Sequence, residues 1–381
     1  MPRVEPGRAI PNNWFRDRTL LIGITGTRYA HAALDLLALL ADYPGCTCRV
    51  ALEEATLAYV TRRNFERFAE VHLVSFTDDE QILECAGAAD GFVLCDLEGT
   101  SGELSRKFES MFEGKIPFYR VVRETAGVPE ESRQLLSMEG GWDLVLEAVA
   151  TGCAGTHPWE NKRVLVTAGR TEEPVDPVRM ITNRSSGRMG FALARQAALR
   201  GAGVTLITGP ANLRTPYGVT RIDVRDAEEM LAAAEKVFPD TDVVFAAAAV
   251  EDLKPVRVSR EKIKKQDRIR IECTTAVDVL QALGRQKTTQ YLVGFSVETE
   301  ELVRHSREKL RRKGLDAIVA NNPNQPGAGF EYETNQVTVL TARETVREFP
   351  LMSKEALAGE LLELTRQEMQ AHELRSTGEI H

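Results

Sequence analysis

The chain has 381 residues, 43% of them hydrophobic, and a net charge of −8, which suits two packed cores better than one. The acidic balance excludes a general nucleic-acid binder, and no apolar run is long enough to span a bilayer. Residues 1–17 are polar and hold no apolar signal core, and the six cysteines are scattered, so a cytoplasmic protein with reduced thiols is expected.

In chain order the sequence alternates between strand and helix. Thr19–Thr25 is an apolar strand ending at Gly26-Thr27, Arg28–Ala41 has apolar residues at helical spacing, and Thr47–Leu52 and Asp90–Cys95 are further strands. This alternation predicts a parallel sheet. A softer region with paired glycines, Glu124–Pro158, precedes a domain boundary placed at residue 160. The second half repeats the scheme, with strands expected at 163–167, 203–208, 242–248, 291–296, 316–320 and 335–340 and helices at 189–200, 227–237, 277–285, 299–313 and 353–372. Gly201 is placed as a helix stop, and Asp226 with Glu229 forms a capping-box pattern. The predicted fold is α/β, two Rossmann-like parallel-sheet domains in tandem, spanning 1–160 and 161–381.

The richest stretch is Val164–Pro210. An apolar strand passes through a long polar loop, T-E-E-P-V-D-P-V-R-M-I-T-N-R, and enters a helix through Ser185-Ser186-Gly187-Arg188-Met189-Gly190. Small residues at a helix start let backbone N–H groups approach an anion, so this is a candidate phosphate or carboxylate site. No G-x-G-x-x-G follows the strand, so dinucleotide binding is not read here. Within the loop, Asn183 can donate and accept and suits a carboxylate; its competing reading is a helix cap, and that of Arg179 is a surface residue. Ala246–Leu253, A-A-A-A-V-E-D-L, offers small residues, Ala248 among them, for close backbone approach, and Asp252 as a ligand contact or turn residue. In Arg257–Arg270 seven of 14 residues are cationic, which fits either a phosphate clamp or a solvated basic loop. Phe295 fits a base, a ribose or the core. Lys309 and Lys313 share one helix face.

The stretch resembles the synthetase half of the bacterial phosphopantothenoylcysteine decarboxylase/synthetase family of coenzyme A biosynthesis, whose segment reads T-A-G-G-T-x-E-P-x-D-P-V-R-x-I-x-N-x-S-S-G-K-M-G. The likeness is strong over residues 162–345. Here Arg170 replaces the second glycine and Arg188 the lysine. The resemblance implies a nucleotide-dependent amide ligase joining 4'-phosphopantothenate to cysteine through an acyl-cytidylate, with CTP and Mg²⁺, as a homodimer. It implies that Asn183 contacts the acyl intermediate with Arg179 in support. The K-x-K-K motif falls on Lys262, Lys264 and Lys265, on a flap that closes over the intermediate. Asp252 would read the base beside Ala248 and Phe295, Lys309 and Lys313 would bind phosphates, and Ser185, Ser186 and Gly187 would form the anion loop. Asp316 and Asn321 complete the pattern. Two departures stand out: Leu253 replaces an aromatic, and Thr275–Leu280, T-A-V-D-V-L, replaces K-N-P-D-I-L with only Asp278 and Leu280 kept.

The first domain resembles the family's flavin-dependent decarboxylase weakly, over residues 18–65. Its catalytic parts are missing. Ile82 stands where the histidine belongs, Asp96–Ser101 lacks the P-A-T-A-N-T asparagine, and no M-N-x-x-M motif or flap cysteine is found. A degenerate domain without decarboxylase activity is expected, and FMN is not expected at Gly26 and Thr27. The competing readings are a paralogous ligase for a different acid and amine, and a nonenzymatic nucleotide- or flavin-binding regulator. No metal ligand is assigned.

Overall fold

The structure is a computed structural model that describes residues 10, 14–25, 30–58, 60–96, 102–113, 115–122, 135–137, 141–154, 157–265, 268–322, 324–327, 329 and 332–376. Gly26, Thr27 and Leu97–Ser101 lie outside these, as do 123–134, 138–140, Thr156 and Gly155 of the softer region. The described residues divide into two compact units, within Ile10–Thr156 and His157–His381.

The first unit runs β1 (Arg18–Thr25), α1 (Ala33–Ala41), β2 (Cys46–Glu53), α2 (Arg62–Phe65), β3 (Glu70–Val74), α3 (Asp79–Ala86), β4 (Gly91–Asp96), α4 (Gly102–Phe112), β5 (Phe118–Val122), β6 (Leu135–Ser137) and α5 (Trp142–Cys153). Its sheet has the order β3-β2-β1-β4-β5-β6, all parallel. Two sequence expectations need correction. The first helix begins only at Ala33, after a 3₁₀ turn over Ala30–Ala32. The region read as soft contains α5, whose Val145, Leu146, Ala148 and Val149 are buried; the flanking glycines masked its helical spacing.

The second unit runs β7 (Arg163–Ala168), β8 (Glu172–Pro174), β9 (Met180–Thr182), α6 (Arg188–Leu199), β10 (Gly203–Thr208), β11 (Val219–Asp223), α7 (Ala227–Val237), β12 (Val243–Ala246), β13 (Leu253–Pro255), β14 (Cys273–Thr275), α8 (Val279–Gln286), β15 (Tyr291–Val297), α9 (Leu302–Arg312), β16 (Ala317–Asn321), β17 (Thr334–Thr341), β18 (Val346–Ser353) and α10 (Lys354–Ser376). The main sheet has the order β11-β10-β7-β12-β15-β16-β17-β18. It is parallel through β16 and antiparallel at β17 and β18.

Both faces of the centre of this sheet are covered, so β7, β12, β15 and β16 are largely apolar, while the edge strands β11 and β18 are not. Val164, Val166 and Ala168 of β7 pack with α6 and α10, and Leu165 turns to the face of α7, α8 and α9. β12 splits its side chains the same way, Val243 and Phe245 against Val244. The helix expected from 277 starts at Val279 because Asp278 caps it, accepting from Gln281 N at 3.0 Å. The helix expected from 299 starts at Leu302 after Glu301 at φ +45°. Asp226 accepts from Glu229 N at 2.8 Å, but Glu229 Oε2 reaches Arg225 N at 2.7 Å, one residue before the cap.

Helix α6 lies directly on β7. A Cβ at Gly190 would meet Ala168 Cβ at 2.5 Å and Thr167 O at 3.1 Å, so only glycine allows this approach. Gly190→Ala should therefore push α6 off the strand and lower stability by about 1–3 kcal/mol, measured as a reduced urea midpoint.

Candidate functional site

Strand β12 was expected to reach 248 but ends at Ala246. Past it, the alanines leave the ladder: Ala247 N donates to Thr167 O at 3.1 Å, Ala248 N to Thr167 Oγ1 at 3.4 Å and Ala249 N to Gly169 O at 2.9 Å. The chain following β7 returns through α6 on one face of the sheet, while the chain following β12 enters α8 on the other. A crevice therefore opens at the carboxyl ends of β7 and β12, the usual ligand position in an open α/β sheet. It holds a cavity of about 440 Å³.

The cavity brings together most of the residues picked from the sequence. Asn183, Ser185, Ser186 and Gly187 line it from the loop after β9. Ala248, Asp252 and Phe295 line it from the ends of β12 and β15, and Lys309 and Lys313 from α9. Gly187 is the N-cap of α6 at φ +82°, a conformation that favours glycine, with its N–H donating to Ser185 Oγ at 3.2 Å. Arg170, the departure from Gly-Gly, donates to the Ser185 carbonyl at 3.3 Å and so braces this loop.

Asn183 is held by two backbone carbonyls: its Nδ2 donates to Ala249 O at 3.3 Å and Val250 O at 3.2 Å. Both of its donors are spent, so what it can offer a ligand is its carbonyl oxygen. The lysines are already paired. Lys309 Nζ lies 2.7 Å from Glu298 and Lys313 Nζ 2.8 Å from Asp278. A bound polyphosphate would compete with these carboxylates.

Arg179, Lys262, Lys264 and Lys265 do not line the cavity. The three lysines are exposed on the excursion between β13 and β14, and Gln266 and Asp267 of that excursion lie outside the described residues. Arg179 acts as a fastener. Its guanidinium pairs with Asp176 and donates to Ile263 O at 3.2 Å, and Ile263 N donates to Asp176 Oδ2 at 3.0 Å. Asp176 also accepts from Val178 N at 2.8 Å and Arg179 N at 2.9 Å. The basic segment is thus clipped to the β8–β9 turn at the residue between Lys262 and Lys264. Asp316 also lies away from the cavity: it sits before β16, pairs with Lys287 at 2.6 Å and accepts from Leu292 N at 2.7 Å. Asn321, at the other end of that strand, lines the cavity.

The sequence reading missed several lining residues. Val277, Asp278 and Val279 of the departed segment face the cavity, as do Asn335 and Lys354. Asp278 was visible as the surviving residue of its motif. Lys354 carried no signal, because a lysine opening a helix after Ser353 reads as a solvated surface residue. Leu253 is 49% exposed and forms no part of the lining.

Burial pushes the Asp176 carboxyl up, but the N–H groups of Ile263, Val178 and Arg179 and the Arg179 guanidinium outweigh it and hold the group at about 2 against an ordinary 3.8. Because the folded value is depressed, the clip is at full strength above the ordinary value and is lost as pH falls through about 2. Trypsin cleavage after Lys262 and Lys264 should therefore show no change in susceptibility from unclipping across neutral pH. Asp176→Asn should speed it severalfold at pH 7 by removing the charged acceptor.

The family model described as DNA/pantothenate metabolism flavoprotein C-terminal domain matches residues 159–369. The coenzyme A biosynthesis bifunctional protein CoaBC of Bacillus subtilis (strain 168) is 44% identical over 208 residues, 54% of this chain and 51% of its own. A cysteine/cysteine sulfinic acid decarboxylase of an unknown prokaryotic organism is 42% identical over 208 residues, 54% of this chain and 58% of its own. The chain thus spans about half the length of these curated relatives. The crystal structure of the C-terminal domain of CoaBC is similar at 36% identity and a TM-score of 0.50, covering 57% of this chain and 100% of that one.

Proposed function

The chain belongs to the family of DNA/pantothenate metabolism flavoprotein C-terminal domains, and from that membership we propose that its second unit, placed at 161–381, is a CTP-dependent ligase coupling 4'-phosphopantothenate to cysteine. The observation that carries this reading is the convergence of Asn183, Asp252, Lys309, Lys313 and the start of α6 on one cavity. In the proposed reaction the acid's carboxylate attacks the α-phosphate of CTP and pyrophosphate leaves. The amine then attacks the acyl-cytidylate, giving the amide and CMP.

Each residue has a task its geometry suits. The α6 N–H groups and the two α9 lysines neutralise anionic groups. Asp252 accepts from the base. Asn183, its donors pinned, presents its oxygen to the incoming amine and aims it at the acyl carbon. Lys264 and Lys265 close from the clipped segment onto the phosphates, with Lys262 in support and Arg179 as a positioning residue.

Among the described residues no cluster of three or more His, Cys, Asp or Glu side chains fits a metal by itself. A Mg²⁺ would fit only as a companion of the nucleotide, held chiefly by its phosphates beside Asp278, the cavity carboxylate not given to the base. It would supply further charge neutralisation there.

The first unit, placed at 1–160, we take as a degenerate decarboxylase-like domain without that activity. The carboxyl ends of its sheet carry Glu53, which accepts from Thr25 Oγ1 at 2.5 Å, and Asp96, held in a buried pair with Arg120 at 2.6 Å. With Gly26, Thr27 and Leu97–Ser101 outside the described residues, we assign no flavin to this edge and no step to it. We extend the family's homodimer and cytoplasmic setting to this chain; the exposed apolar side chains of Val178 and Met180 support a face covered by a second copy. The altered Val277–Val279 wall favours a second reading, a paralogue for another acid and amine.

The test is pyrophosphate release with Mg²⁺, CTP or ATP, 4'-phosphopantothenate and cysteine. CTP-dependent release with CMP and the amide is expected, and Asn183→Ala should form acyl-cytidylate but little amide. Release only with other acids or amines would move the assignment to the paralogue. Folded protein that binds CTP but releases no pyrophosphate with any acid would overturn the ligase reading. Lys313→Ala should raise the KM for CTP about tenfold or more, the loss expected for a charge-assisted contact of about 1.5–3 kcal/mol.

A further inference from the structure

The cavity has a second cationic end that the proposed reaction leaves unused. Lys309 and Lys313 lie on the α8–α9 side of the sheet. On the α6–α10 side stands Lys354, the first residue of α10, only 6% exposed and part of the cavity lining. Its Nζ donates to Gly329 O at 3.0 Å and Tyr332 O at 2.7 Å, and its own N–H donates to Glu333 O at 2.9 Å. It thereby fastens Gly329, which lines the cavity, and Tyr332, both between β16 and β17.

Fastening alone does not need a charge. An ammonium has three donors, and two are spent on carbonyls. Among the described residues Lys354 forms no ion pair with a carboxylate. The carboxylate that acts on it, Glu333, is paired with Arg188 at 3.2 Å. Lys354 is thus a buried positive charge compensated only by neutral oxygens, an arrangement that costs free energy until an anion approaches. Burial and the neighbouring Arg188 guanidinium pull its ammonium down to about 8, against a smaller upward pull from Glu333. Lys309 and Lys313, by contrast, each have a carboxylate within 3 Å.

The geometry points to Lys354 as the specificity residue for the acid, receiving an anionic group remote from the reacting carboxylate. This rests on the ligase reading, which places the nucleotide phosphates at the opposite, α9 end. The preferred acids are then those that carry a second anion, a phosphate or a carboxylate, at the far end from the carboxyl that is activated. Asn183 and the alanines after β12 share the lining with both lysine groups, and the acyl centre would form beside them.

The experiment compares 4'-phosphopantothenate with pantothenate, and a matched acid ending in a carboxylate, in wild type, Lys354→Gln and Lys354→Arg. Glutamine keeps donors for the carbonyls and removes the charge. Lys354→Gln is expected to raise the KM for both doubly anionic acids at least tenfold. The KM for CTP, kcat and the pantothenate KM should stay within about twofold, with Lys354→Arg restoring most of the loss. A selective loss for the phosphate acid alone would assign the site to phosphate, and a loss for both to any terminal anion. Equal losses for all three acids, or a matching loss for CTP, would reduce Lys354 to a wall fastener and overturn the proposal. Calorimetric titration of the same acids in the absence of turnover separates it from the ligase reading. Should no acid support pyrophosphate release, tighter binding of the doubly anionic acids by wild type than by Lys354→Gln would still sustain the anion site, and equal binding would sink it. Thermal melting of both variants excludes unfolding as the source of any loss.

Discussion

The site depends on one topological constraint: β7 and β12 are adjacent and parallel, yet their continuations leave to opposite faces of the sheet. Their continuous ladder therefore ends at Thr167 and Ala246, and the two chains meet again only at the isolated Arg170–Ala249 bridge before they part. The backbone groups freed there are taken up by Thr167 O, Thr167 Oγ1 and Gly169 O. These local bonds satisfy three of the amides at the crevice floor. The small side chains from Ala246 to Ala249 then let a ligand approach the backbone. Every other element of the site is arranged around this gap, with α6 entering on one face and α8 and α9 on the other.

What was legible in the sequence follows from what is local. The long strands of the second unit alternate between two apolar faces or are apolar throughout, and they fell within a few residues of their observed bounds. The anion loop and Asn183 were legible because a helix start with glycine and serine carries its own geometry. The three-residue strands β8, β9, β13 and β14 were not read, since none is long enough to show a period and each exists only through its partner. Strand β18 was missed for another reason: with Pro350 in it and only Phe349 buried, it is an edge strand whose side chains need not alternate.

The same distinction separates the site residues. Lys309 and Lys313 were legible as a pair four apart on a helix, but their partners Glu298 and Asp278 come from other segments, so their neutralised state was not. Arg179 was picked as support for the acyl region, and its bonds go to Asp176 and Ile263. A sequence motif reports that a residue is required; it does not distinguish touching the ligand from holding the segment that does. Lys354 is the extreme case. Its burial comes from Gly329, Tyr332 and Glu333, a connection that precedes two whole strands, and nothing near it in sequence marks it as internal.

These charges also explain how an acidic protein keeps an anion-binding cavity without a strongly positive resting field. The lysines of α9 are masked by carboxylates, Asp278 on Lys313 partly solvated and Glu298 on Lys309 largely enclosed. A polyphosphate can displace Asp278 at small cost, since that carboxylate relaxes toward water as Lys313 is taken, and at a larger cost the more enclosed Glu298. Among the described residues Lys354 has no carboxylate partner to release. The cavity thus combines an exchangeable cationic end and a fixed one, and the two ask different things of a ligand. The exchangeable end rewards high charge density, as in a triphosphate. The fixed end rewards a single anion at a set distance from the reacting centre, so it sets the length and terminal group of the acid.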